Sequence, residues 1–121
     1  MFLSADLRKS IALFEIELSN TATHFSKNIV ICKAKHDYWG GDYWGGAVQM
    51  INQAASQMEW IVNGSKSDDV ALSKLNRINN LYLESQARAD PNEQDVCTRG
   101  QDAAVTWILS KMKELKGHFD M

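Results

Sequence analysis

A chain of 121 residues that is 45% hydrophobic and 23% charged, with a single proline, has the composition of a folded protein and not of a disordered tail. Its formal charge of −2 offers no broad attraction to phosphate backbones, so no nucleic-acid partner is expected. A chain this long buries roughly two thirds of its unfolded surface, enough for one modest core, and with no evident linker the expectation is a single α-helical domain over 1–121.

The opening MFLSADLRKSIALF lacks the uninterrupted apolar run and small-residue cleavage pattern of a secretory signal, and its spacing suits an amphipathic helix. Leu3, Leu7, Ile11, Phe14, Leu18, Ala22, Phe25, Ile29 and Cys32 recur at steps of three or four, which aligns them on one side of a long helix. Thr21 and Thr23 lower the local propensity, so a bend or break is expected near Asn20. The branched run Ile29-Val30-Ile31 also fits a short strand.

Residues 37–46 read DYWGGDYWGG, two copies of one five-residue block. Paired glycines favour turns, so the stretch is expected to be an aromatic-glycine loop. Tyr and Trp carry large rigid surfaces with polar edges, which suits them to the centre of a protein contact. Asp37, Tyr38, Trp39, Asp42, Tyr43 and Trp44 are therefore the candidate protein-binding residues. A competing expectation is that the rings fold back over the helices.

Beyond the repeat, Val48, Ile51, Ala55, Met58 and Val62 mark a second helical stripe, widened by Ala47, Ala54 and Ile61. Gly64 is placed to end it in a left-handed conformation. A third helix is expected over about 68–88, with Ala71, Leu75, Ile78 and Tyr82 on one face and Asp68 and Asp69 favourable at its start. Asp90, Pro91 and Glu93 form a credible cap for a fourth helix, whose later stripe is Ala104, Ile108, Met112, Leu115 and Phe119. Gly100 could interrupt it early, and Gly117 is a natural end. Four such segments predict an all-α fold, a compact bundle of about four amphipathic helices.

The chemistry-bearing residues are sparse. Cys32 and Cys97 lie far apart in sequence and form no metal-binding pair, so two buried free thiols are expected. There is no phosphate-binding loop, paired-histidine metalloprotease motif or serine nucleophile elbow. No catalytic or metal-ligating residue and no cofactor is assigned. No segment is apolar enough to insert into a membrane, and a cytoplasmic location is expected.

These features predict a non-enzymatic protein-binding module. An inhibitor or immunity-like protein, acting by steric occlusion through the aromatic stretch, fits its size and mild acidity, with Asp37, Asp42 and nearby lysines setting orientation. One alternative is a small metal-dependent or acid-base enzyme using His36 and Asp37. Another is a structural homo-oligomer in which spare helix faces meet across subunits.

Overall fold

The computed structural model describes residues 3–90, 92 and 95–119. Four helices follow one another: α1 (Ala5–Ala34), α2 (Tyr38–Gly64), α3 (Asp68–Arg88) and α4 (Val96–Phe119). No strand occurs among the described residues. The expected all-α bundle is what the chain forms, and no described helix is long and apolar enough to cross a membrane.

α1 is one continuous helix. The break expected near Asn20 is absent, and Ile29-Val30-Ile31 is helical. Thr23 makes this tolerable by donating its Oγ1 hydrogen back to the Ser19 carbonyl at 3.0 Å, which occupies the hydroxyl without interrupting the ladder. Ser4 caps the start by accepting from the Leu7 N–H, and its own N–H donates to Asp68 Oδ1 at 2.7 Å, tying the starts of α1 and α3 together. That bond holds the Asp68 carboxyl below its ordinary pKa.

Leu7, Ile11, Phe14 and Leu18 bury the first half of α1 as the spacing predicts, while Ala22 and Phe25 stay only partly buried against the core. On α2 the buried line is Ala47, Ile51, Ala54, Met58 and Ile61. Val48, Ala55 and Val62, expected at its centre, lie half-buried at its edge. The stripe is turned because α2 serves two close neighbours, α1 and α4, and its most buried residues are those that face both. α3 buries Ala71, Leu75, Ile78 and Tyr82 as expected, and the Tyr82 hydroxyl donates to Gln57 Oε1 on α2 at 2.7 Å.

Glycine has three corrections to make to the expected boundaries. Gly64 is the last residue of α2 but is not left-handed; Lys74 of α3 instead donates its Nζ to the Gly64 carbonyl at 2.8 Å and lies over the Trp60 ring. Gly117 does not end α4, which continues to Phe119. Gly100 does not interrupt α4 but marks its closest approach to α2, where an added Cβ would land on the Tyr43 carbonyl. Gly46 is its counterpart, facing the Cys97 carbonyl. A backbone can come this close to a helix only at a residue without a side chain, and each of these contacts has a glycine on one side, Gly46 against Cys97 and Gly100 against Tyr43. The consequence is that α2 and α4 pack as intimately as α1 and α2, whereas α3 sits more loosely on both neighbours.

The cap of α4 also differs from expectation. Asp95 accepts the Thr98 N–H at 2.7 Å, which lowers its pKa, and the helix starts at Val96. Asp90 instead accepts from Asn92 N–H at 2.9 Å, a local turn that keeps its carboxylate from the helix. Pro91 and Glu93, the rest of the expected cap, lie outside the described residues.

Candidate functional site

The end of α1 and the start of α2 form one tip, built by two linked capping motifs. The His36 N–H donates to the Lys33 carbonyl and the Asp37 N–H to the Cys32 carbonyl, at 3.1 and 2.8 Å, with His36 left-handed at φ 57°. This is the paired-bond ending in which one residue after the helix reverses the chain. Asp37 then begins α2, its Oδ1 accepting the Gly40 N–H at 2.9 Å. His36 and Asp37 are thereby both committed to the turn.

The DYWGG repeat is helical from Tyr38 onward, so the expected loop is corrected to the first turns of α2. Four glycines in a helix cost roughly 1 kcal/mol each against alanine. Two of them are offset by what they admit. Gly40 lets the Asp37 carboxylate and the Cys32 sulfur close over the turn, and Gly46 admits α4. Gly41 and Gly45 have open space where a Cβ would stand.

Helical geometry also makes the two copies inequivalent. A five-residue repeat advances by about 140° around the axis, so equivalent aromatics cannot share a face. Tyr38 and Trp39 are exposed, at 73% and 55%, while Tyr43 and Trp44 are half-buried. Trp39 stacks on Tyr43 one turn later, with centroids 5.5 Å apart and planes 9° from parallel. Tyr43 meets Trp44 edge-on, and Trp44 packs on Phe25 of α1 at 4.9 Å. The rings thus form a connected series running from the exposed tip into the α1–α2 seam. Asp42 is exposed and Asp37 is held in the cap.

Of the six candidates, the structure brings Trp39, Tyr43 and Trp44 into this one series and leaves Tyr38 beside the His36 ring, 6.4 Å away. Val30 and Ile31, exposed at the same end of α1, were not among the expected surface residues. Their signal was present: both fall off the Phe25-Ile29-Cys32 line by helical period. From Ser19 to His36 the chain contains Lys27, Lys33 and Lys35 and no acidic residue, which gives the α1 side of the tip a basic edge.

Cys32 and Cys97 are free and half-buried, one against each packed glycine of the repeat. Loss of solvation raises the Cys32 pKa, and the neighbouring Asp37 carboxylate raises it further by disfavouring a second negative charge. The Cys32 thiol is therefore kept protonated. Among the described residues, no three His, Cys, Asp or Glu side chains converge in a way that could hold a metal ion. Carboxylates do meet where sequence gave no sign of it: Glu15 on α1 faces Glu59 on α2, and burial, then that like charge, raises the Glu15 pKa.

No protein-family model, curated protein or solved structure matches this chain, so the reading of the tip rests on its own geometry.

Proposed function

We propose that the chain is a non-enzymatic protein-binding module, an inhibitor-like protein that occludes its partner's surface with the α1–α2 tip. The supporting observation is that Tyr38 and Trp39 are exposed on a capped helix start whose next turn, through Tyr43 and Trp44, is anchored to the bundle. Rigid aromatics lose little side-chain entropy on docking, and large exposed rings on a fixed support are what an interface centre requires. Val30 and Ile31 are also exposed near the end of α1, and the lysines of that stretch, Lys27, Lys33 and Lys35, suit an acidic partner edge.

The test compares quantitative affinity capture by the intact chain with capture by Trp39→Ala and Trp44→Ala, followed by reconstitution with the purified partner. A stoichiometric complex lost in Trp39→Ala, whose circular dichroism and melting temperature are unchanged, supports the reading. Equal complex formation by the intact chain and Trp39→Ala sinks it. Sedimentation over a concentration series separates the remaining case, in which the same tip meets a second copy.

A further inference from the structure

α3 is held differently from the other helices. α1 and α4 each pack closely on α2, the latter through Gly46 and Gly100, whereas α3 rests on the bundle along one buried line, Ala71, Leu75, Ile78 and Tyr82. Clefts flank that line, one of about 540 Å³ beside Leu81 and Ser85 and one of about 500 Å³ beside Leu83 and Gln86. The helical period puts these two pairs on opposite sides of Tyr82. Polar contacts complete the attachment. The Ser4 N–H donates to Asp68, Lys74 to the Gly64 carbonyl, Tyr82 to Gln57 and Gln86 to Thr106, and all but the Tyr82 bond are exposed. A hydrogen bond whose groups regain water when it breaks opposes opening only weakly.

The buried polar atoms point the same way. Among the described residues, two buried side-chain oxygens have no hydrogen-bond partner, Ser65 Oγ and Asp102 Oδ2. Ser65 lies in the link between α2 and α3, and Asp102 lines the larger cleft, so both border α3. An oxygen buried without a donor disfavours the closed arrangement, and movement of α3 would admit water to each. The ends of α3 also suit a pivot, since Ser65, Ser67 and Ala89 are all in extended backbone outside the helices.

We propose that α3 is a hinged cover that swings out as one unit about the Ser65–Ser67 link while α1, α2 and α4 stay assembled. Opening uncovers the side of α2 that carries Gln57 and the side of α4 that carries Thr106, and it hydrates Ser65 and Asp102. The close α1–α2 and α2–α4 pairs are what allow a third helix to leave without global unfolding. The capped α1–α2 tip stays in place, so this motion is independent of the contact proposed there.

The experiment is native-state hydrogen exchange of the full chain, followed by NMR over urea concentrations below the unfolding transition. Amides of Ala71–Tyr82 should exchange as a group, roughly tenfold or more faster than the slowest amides of Ile51–Ile61 and Ala104–Met112, and with a weaker dependence on urea. Gln86→Ala should raise α3 exchange severalfold, because the bond it removes exists only in the closed form. Ser65→Ala should lower it severalfold, because no buried hydroxyl then gains water on opening. Trp44→Ala alters a contact with Phe25 that the open form keeps, so it should speed the α2 and α4 amides and leave those of α3 unchanged. Equal rates and urea dependence in α2, α3 and α4 would overturn the proposal. So would exchange that slows progressively from the ends of α3 to its middle, as fraying gives, acceleration of α3 by Trp44→Ala, or α3 exchange that Ser65→Ala fails to slow.

Discussion

Glycine in the repeat has two opposite effects within one pair of residues. Gly45 adds flexibility to the unfolded chain and meets nothing in the fold, whereas Gly46 meets the backbone of α4. Gly41→Ala and Gly45→Ala should each stabilise the protein by about 0.5–1 kcal/mol in urea unfolding. Gly46→Ala and Gly100→Ala should each cost about 1–3 kcal/mol, because the obstruction is a carbonyl and not a movable side chain. At the turn, Asp37→Asn should preserve the cap, since asparagine accepts as well as aspartate. It should also speed iodoacetamide alkylation of Cys32 severalfold at mildly alkaline pH, because one cause of the raised thiol pKa is removed. An unchanged rate would mean that loss of solvation alone controls that thiol.

The start of α2 divides its labour between two tryptophans one repeat apart. Trp44 packs on Phe25 and against the core, while Trp39 has its stack on Tyr43 and then solvent. Trp44→Ala should therefore lower stability by about 2 kcal/mol, less than a fully buried ring would. Trp39→Ala should change it by no more than about 0.5 kcal/mol. Thermal melts of the two variants check this directly, and a large loss in Trp39→Ala would return the first copy of the repeat to a packing role. At α4, Asp95→Ala should lower the melting temperature through the lost Thr98 bond, while Asp90→Ala should not weaken the helix start.

Stability of the whole bundle should fall at both extremes of pH, for separate reasons. Asp68 and Asp95 have lowered pKa values in the fold, so what they contribute is present above the ordinary carboxylate pKa and is lost as pH falls through the lowered values. Hydrogen exchange at the start of α1 should rise in that window, and Asp68→Asn should flatten the rise. Tyr82 behaves in the opposite sense. Burial pushes its pKa up to about 12, so its contribution is full below about 10 and is lost as pH climbs towards the raised value. Tyr82→Phe should remove most of that alkaline loss in circular-dichroism titrations, at the cost of leaving Gln57 Oε1 without its donor. An alkaline transition unchanged by Tyr82→Phe would show that another group drives it.

Periodicity alone carried most of the fold. Leu7, Ile11, Phe14 and Leu18, then Ala71, Leu75, Ile78 and Tyr82, then Ala104, Ile108, Met112 and Leu115 are buried as their spacing predicts, because a 3.6-residue turn assigns faces without knowledge of neighbours. The bounds of α3 were legible for the same kind of reason, with Ser67 and two aspartates favouring a start through local bonds and charge. The candidate site was legible in composition but not in form: its aromatics were visible, while their helical state and unequal exposure were not. A glycine's helix penalty is local and can be read from sequence, but its benefit exists only where a second backbone comes against it. Cys97, 51 positions beyond Gly46, supplies that backbone, so only the tertiary structure could decide that the repeat is helical from Tyr38 onward and that Trp39 faces out while Trp44 faces in.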